Sequence, residues 1–493
     1  MKAVMVMYDS LNRRYLSPYG NSDVITPNFA RLAEHSVTFD NFFTGSMPCM
    51  PARRELHTGR LNFLHRSWSP FEPFDESMPR MLGEHGIWSH LVTDHCHYWE
   101  AGGANYWTNY SSFEFIRGQE GDQWKSDPED FDGPLLPRRQ DQINRRYMCE
   151  EAEYAHARSF EKGMEFLKEH NDSDHWFLQL EYFDPHEPFF VPERFTKMYS
   201  DQPVTDDWPE YRVYTEDEQE KTEGFRTAYK ALMTMCDEYL GKILDFFDEH
   251  DLWKDTMLVV NTDHGFMLGE KGYFGKNYPP VYDELANIPF FLHDPRYPEK
   301  DGTRCSALAQ TPDIAPTVLD FFGIGKGSHM TGESLLPLLS GEQDRIHDSV
   351  LYGYYGMHVN VTDGHYTYMR CAQTEDNKPL YQYTLMPAHI KKYMHSEEIR
   401  QADDVLCRSL EFTDHIPVLR IPTDEKYDRK RYYSYSGHRK YGMMLFDRIG
   451  DPFQEHPLND IEAEKRMKAL MVKEMQKAEA PEEQYIRLGL ETE

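Results

Sequence analysis

Four clusters of residues in this chain are of types that do chemistry. The first is Pro48-Cys49-Met50-Pro51-Ala52-Arg53, which runs through a short helical stretch to Thr58-Gly59. Pro51 suits the first position of a helix, because it has no N–H to lose there and its φ is already set. Cys49 then stands at the mouth of that helix, where unpaired N–H groups and the dipole favour an anion. Arg53, about one turn on, adds a permanent charge and a fork of donors matched to tetrahedral oxyanions. The plain alternative is a buried structural cysteine ahead of an ordinary helix. The second and third clusters are Asp9 and Asp263-His264, each closing an apolar segment. Two strand-end carboxylates and an imidazole can converge on one divalent cation. The fourth, His95-Cys96-His97, has residue types that zinc uses, but no partner pair at ligand spacing accompanies it. His186, between Pro185 and Glu187, and Lys276, after Gly275, are ordinary residues when taken singly.

Taken together, these segments resemble the type I sulfatases of the alkaline phosphatase superfamily. The pattern Cys49-x-Pro51-x-Arg53 with Thr58-Gly59 is similar to the family signature, and Asn261-Thr262-Asp263-His264-Gly265 to its second motif. Thr26-Pro27-Asn28, Thr311 to Thr317, Gly332 to Leu336 and Leu445-Phe446-Asp447 through Asp451-Pro452 resemble further family segments, so the likeness runs over residues 1 to 458. The resemblance implies that Cys49 is oxidised to formylglycine by a formylglycine-generating enzyme and that its hydrate is the nucleophile. It implies a divalent metal, Ca2+, held by Asp9, Cys49, Asp263 and His264. Lys276 and His186 would stabilise or protonate the departing alcohol. His97 would be the base that regenerates the aldehyde, and His95 would replace a family lysine, turning a fixed charge into one that titrates near neutral pH. The implied reaction is hydrolysis of a sulfate monoester on a saccharide or small molecule.

Two departures matter. Many sulfatases carry a second aspartate where this chain has Ser10, and Ala52 stands where serine is frequent. The phosphonate monoester and phosphodiester hydrolases of the same superfamily also lack that aspartate, also use formylglycine, and commonly hold Mn2+. They are the alternative reading. A non-catalytic binding protein would keep the pocket and leave Cys49 unmodified.

These residues need an α/β scaffold. Up to about residue 345, strand and helix signals alternate: Ala3–Tyr8, Ile87–Thr93, Trp176–Tyr182 and Thr256–Asn261 read as strands. A Thr26-capped helix with Pro27 in its first turn, an amphipathic helix over Asp217–Glu249 and a Pro-initiated helix over Thr311–Phe322 intervene. The expectation is a large alkaline-phosphatase-like domain over 1–345, with a mostly parallel central sheet sandwiched by helices. A smaller α+β domain over 346–493 follows, with an antiparallel sheet from Leu351–Val361, Tyr366–Arg370 and Met443–Phe446 and a helical tail over Ile461–Met475. Residues 371–440 do not align with the family. Their tyrosines, Tyr381, Tyr383, Tyr432, Tyr433 and Tyr435, are read as a pocket wall or a homo-oligomer contact.

Composition narrows the function classes. Of 493 residues, 39% are hydrophobic, enough for a real core, and the net charge of −31 argues against nucleic acid or an anionic membrane as partner. No apolar run approaches the roughly 18 residues of a membrane helix. The N-terminus reads as a strand and not as a signal peptide, and seven irregularly spaced cysteines suit reduced thiols. The expectation is a cytoplasmic enzyme.

Overall fold

The computed structural model describes residues 1–129, 136–204, 206–277, 279–403, 410–423 and 435–490. Eight strands form the central sheet: β1 (Lys2–Tyr8), β2 (Val37–Phe43), β3 (Trp88–Thr93), β4 (Ser112–Phe115), β5 (Trp176–Tyr182), β6 (Thr256–Thr262), β7 (Phe290–His293) and β8 (Arg304–Gln310). Their order is β8-β2-β7-β6-β1-β5-β3-β4, parallel throughout except for β7, which runs against both β6 and β2. Sequence and structure agree on this mostly parallel α/β architecture.

The sheet is buried on both faces, which is why its inner strands read as continuous apolar runs. Alternate residues of β1 divide between two cores. Val4, Val6 and Tyr8 pack under α3 (Ala155–His170) and α4 (Gln219–Glu249), whereas Ala3, Met5 and Met7 join the core on the opposite face. That second core receives Leu56 from α2 (Cys49–Thr58) and Ile314, Ala315, Val318 and Leu319 from α5 (Ile314–Phe321). No helix among the described residues is long and apolar enough to cross a membrane.

Three details differ from the sequence reading. α2 begins at Cys49 with Pro48 as its cap, so Pro51 is its third residue and not its first. Proline is tolerated there because the N–H groups of the whole first turn lack intrahelical partners. Thr26 does precede α1 (Pro27–Glu34), but its hydroxyl accepts from Ser17 N at 3.0 Å and does not cap the helix. Leu351–Val361 is two strands of a hairpin, β9 (Val350–Tyr354) and β10 (Val359–Thr362), rather than one.

β9 and β10 continue antiparallel into β11 (Tyr366–Arg370) and β12 (Met444–Asp447). The other edge of this small sheet is the two-residue strand Ser46–Met47, parallel to β9 and placed just before Cys49. Helix α6 (Ile461–Lys477) covers the sheet with Met467, Met471 and Met475, which share a core with Leu61, Phe63 and Leu64 from the segment after α2. The C-terminal part of the chain thus packs directly on the loop that carries Cys49. Within the unaligned stretch, Tyr381–Thr384 pairs with Leu419–Pro422, and Tyr383 packs against Phe74, Phe412 and Val418. Tyr432 and Tyr433 lie outside the described residues, as does the side chain of Tyr435.

Every residue of α2 is buried, including Glu55. Its carboxylate accepts from Ser46 N at 2.6 Å, and burial pushes its pKa up to about 8. An acid whose folded pKa lies above its unfolded value binds its proton more tightly when folded. Its contribution to stability is therefore present below about pH 4.5 and lost as pH rises toward 8. Glu55→Gln removes that loss. Its unfolding free energy relative to the parent is expected to climb between pH 5 and pH 8, with a slope approaching ~1.4 kcal/mol per pH unit. A pH-independent difference would show that Glu55 is charged in the fold.

Candidate active site

Register explains why distant residues meet. Tyr8 of β1 pairs with Tyr182 of β5 on one side and Thr262 of β6 on the other. Asp9, Phe183 and Asp263 are therefore the next residues beyond three adjacent parallel strands, and Asp94 follows β3 on the far side of β5. All emerge at the carboxyl ends of their strands, where α/β sheets gather their sites. α2 lies across these ends and points Cys49 and Arg53 into the group.

Arg53 is the hub. Its Nε donates to Glu181 Oε1 at 2.7 Å, its Nη1 to Asp263 Oδ2 at 2.8 Å and to the carbonyl of Cys49 at 2.9 Å, and its Nη2 lies 3.1 Å from Asp9 Oδ2. All four charged groups are fully buried. Burial works against the charge on Arg53, but Glu181, Asp9 and Asp263 outweigh it and raise its pKa. Burial also acts to raise Asp9, yet Lys276, His186 and Arg53 hold it well below the usual carboxylate range. Asp263 is raised, by burial and then by Asp9.

Cys49 Sγ sits 3.8 Å from Asp9 Oδ1 and 3.4 Å from His264 Nε2. His264 Nδ1 is 2.9 Å from the carbonyl of Gly265, an arrangement that puts the ring proton on Nδ1 and leaves the Nε2 lone pair facing Cys49. Only glycine fits at 265, since a Cβ there would lie 1.9 Å from the carbonyl oxygen of Glu284. The ligand atoms of Asp9, Cys49, Asp263 and His264 all fall within 4.8 Å of one another. Around them three carboxylates (Asp9, Asp263 and Glu181) face two lasting cations, Arg53 and Lys276. Excess buried negative charge beside two carboxylates, an imidazole and the Cys49 sulfur is what a divalent cation would satisfy, so these residues fit one.

Lys276 Nζ donates to Ser10 Oγ at 2.8 Å, and Ser10 Oγ donates to Asp9 Oδ1 at 2.7 Å. The serine that replaces the second aspartate thus links the lysine to the first. Burial disfavours charge on Lys276, but Cys49, Asp9 and Glu187 together raise its pKa. His95 Nε2 lies 3.2 Å from Asp9 Oδ2, and its Nδ1 accepts from His97 N at 3.4 Å. Burial, and then Arg53, hold His95 well below the usual histidine range. The expectation that it titrates near neutral pH is therefore corrected: His95 is a neutral ring bridging Asp9 and the backbone of its own loop.

A cavity of about 410 Å³ opens above Cys49. His97, His186 and Lys276 line it, with Trp68, Glu187, Trp208, Tyr211 and Asn277. All nine nominated residues thus gather at one place: Asp9, Arg53, His95, Asp263 and His264 in the buried layer, and Cys49, His97, His186 and Lys276 facing the cavity. The unaligned stretch reaches the cavity through Lys391 and not through its described tyrosines.

Sequence reasoning missed Glu181, although a glutamate in Trp176-Phe177-Leu178-Gln179-Leu180-Glu181-Tyr182 is a charge in an otherwise buried strand and therefore a signal. It also missed Glu187, which burial pushes up to about 7 against the pull of Lys276. Glu187 Oε2, Asn277 Oδ1 and Trp68 Nε1 are buried cavity-lining atoms without a hydrogen-bond partner among the described residues. A polar ligand would satisfy them.

The profile of the Sulfatase family matches residues 2–324, and that of the N-sulphoglucosamine sulphohydrolase C-terminal region matches residues 269–415, so the expectation that 371–440 does not align fails for residues 371–415. An arylsulfatase of Clostridium perfringens is 24% identical over 410 residues, which cover 73% of this chain and 83% of that protein. A choline-sulfatase of Rhizobium meliloti is 26% identical over 418 residues, covering 75% and 78%. The crystal structure of the phosphonate monoester hydrolase of Agrobacterium radiobacter superposes with a TM-score of 0.63 at 17% identity, covering 97% of this chain and 94% of that one. At that identity the likeness concerns the fold.

Arg53→Ala leaves Asp9, Asp263 and Glu181 facing one another without their shared cation. The expected cost is about 3–5 kcal/mol in urea unfolding, with Arg53→Lys recovering only part, because an ammonium cannot fork to three acids. A loss below ~1 kcal/mol would mean that these acids are not jointly charged.

Proposed function

The chain belongs to the sulfatase family, and from that premise we propose that it cleaves a sulfate monoester in the cavity above Cys49, with that cysteine converted to formylglycine. The observation that carries this reading is the environment of Cys49. It stands at the N-terminus of α2, beside Asp9 and His264, on the wall of a cavity shared with Lys276, His186 and His97.

The thiol Sγ marks the position from which the hydrated aldehyde would present its hydroxyls, one as nucleophile and one through which the aldehyde is restored. A divalent cation held by Asp9, Asp263, His264 and residue 49, calcium in this reading, would lower the pKa of the attacking hydroxyl and offset charge on the sulfate. The chain's own residues do the rest. Arg53 holds the carbonyl of residue 49 and Asp263 in one fork, which fixes the direction of attack. Lys276, kept charged, is the donor available to the departing oxygen. His186 is held well below its usual range, by burial and then by Lys276, and its Nδ1 faces the carbonyl of Glu187. It therefore offers a lone pair at Nε2 and serves as an acceptor that orients the substrate, while Lys276 delivers the proton. His97 has Glu100 Oε2 2.8 Å from its Nδ1. That negative charge favours the ring proton on Nδ1 and leaves Nε2 free to take a proton from the second hydroxyl.

Ser10 favours a second reading, hydrolysis of a phosphonate monoester or phosphodiester with manganese at the same ligands. All three esters are monoanions, so the reading rests on Ser10 alone, which stands where many sulfatases carry a second aspartate and the phosphonate and phosphodiester hydrolases do not. Maturation by a formylglycine-generating enzyme is required in either case.

Two measurements test the proposal. Mass spectrometry of the tryptic peptide Leu32–Arg53, from protein made alongside a formylglycine-generating enzyme, should find the aldehyde or its hydrate at residue 49. An unmodified thiol would remove the mechanism. Initial rates with an aryl sulfate, a phosphodiester and a phosphonate monoester should favour the sulfate by at least ~100-fold, with Lys276→Ala costing roughly 10²–10³-fold and a chelator abolishing turnover until the cation is restored. A preference for the phosphorus esters would select the second reading.

A further inference from the structure

A second set of metal-binding side chains converges beside the active site. Cys96 and His97 lie on the single turn Cys96–Trp99 after β3, and Glu120 comes from the segment after β4. Their ligand atoms all lie within 4.8 Å of one another, the closest-packed group of this kind among the described residues apart from that around Asp9. Cys96 Sγ is 3.7 Å from His97 Nδ1 and 3.7 Å from Glu120 Oε2. Tetrahedral zinc, with bonds of about 2.3 Å to sulfur and 2.0 Å to nitrogen or oxygen, needs ligand pairs about 3.5 Å apart. Two edges of that tetrahedron are therefore nearly in place. Glu100 Oε2, at 2.8 Å from the same Nδ1, stands where a fourth donor would be recruited.

We propose that Cys96, His97 and Glu120 form a second site for a zinc-like cation, and that filling it disables His97. The ligand set, one thiolate, one imidazole and carboxylate oxygen, suits a borderline-soft ion, and it has one carboxylate fewer than the set at Asp9. Burial, and then Glu120 and Glu100, raise the Cys96 thiol, so binding would release its proton as the thiolate coordinates. A route in exists. A cavity of about 540 Å³ is lined by Cys96, Glu100, Glu120 and Lys391, and the last two also border the cavity above Cys49. Lys391 is the competing cation, and its charge lies near both Cys96 and Glu100.

The consequence follows from imidazole chemistry. A cation on Nδ1 keeps the ring proton on Nε2, so His97 can donate from that nitrogen but no longer accept. A base that must take a proton at Nε2 is then switched off by tautomer alone, with no movement of the loop. This inhibitory step rests on the role proposed above for His97, whereas the site itself does not.

Cobalt(II) is the probe for the site, because thiolate ligation gives a near-ultraviolet charge-transfer band. Titrated into the full chain carrying Cys49→Ser, which removes the other nearby thiol, Co2+ should develop that band at one equivalent and zinc should bleach it. The band should vanish in Cys49→Ser/Cys96→Ser and weaken at least tenfold in affinity in Cys49→Ser/Glu120→Ala, with circular dichroism checking that each variant folds. A band that survives loss of Cys96, or no band in Cys49→Ser, overturns the site. With Cys49 intact and matured, excess Zn2+ should cut turnover at least tenfold, whereas Cys96→Ser should keep its full rate without zinc and resist the metal. Equal inhibition of both would place zinc at the Asp9 cluster and overturn the switch. If the matured enzyme turns over no ester at all, the sulfatase reading fails, and the cobalt titration still decides the site.

Discussion

Everything at this site depends on one buried guanidinium. Arg53 reaches three carboxylates and a backbone carbonyl from a single planar group, a task an ammonium cannot perform. Each acid comes from a different part of the chain: Asp9 after β1, Asp263 after β6, Glu181 within β5. Burying three like charges together would be prohibitive without a shared counter-ion. The arginine therefore links the sheet and α2, and does so at the level where Cys49 emerges.

Layers of hydrogen bonds extend from that hub. Beneath it, Glu181 also accepts from Tyr98 at 3.0 Å and Gln179 at 3.0 Å, and Gln179 accepts from Tyr110 at 2.6 Å. These contacts extend the charged pair into a polar network in which both Glu181 oxygens are hydrogen-bonded. Above it, the loop from Asp94 to Trp99 touches both layers: His95 bridges to Asp9, while His97 borders the cavity. One turn of chain thus carries a residue held against the buried layer and a residue that faces the cavity, two positions apart.

The smaller sheet is part of the same machinery. Its edge strand Ser46–Met47 is the approach to Cys49, and Tyr354 of β9 donates to the backbone carbonyl of Lys276. Two elements that face the substrate are thereby fixed by the C-terminal part of the chain. The Tyr-rich stretch adds Lys391 at the cavity rim and packs its described tyrosines elsewhere.

Local pattern was enough to recover much of this from the residues themselves. Apolar runs of the right length located β1, β5 and β6, and a helical period located α4, because those signals are written in consecutive residues. The Cys49-x-Pro51-x-Arg53 and Asp263-His264 segments identified the family, since such motifs are written in consecutive residues. What sequence could not supply was register. That Tyr8 lies level with Tyr182 and Thr262 is a property of strand pairing, and it alone brings Asp9 to Asp263 and gives Arg53 its third acid in Glu181. Nor could spacing reveal that His95 is neutral or that Glu120 stands against Cys96, for burial and long-range proximity decide both. Residue types and local spacing determined which chemistry was available to this protein. The tertiary fold decided which side chains share one low-dielectric space, and so which charges are paired, which protons are held and where.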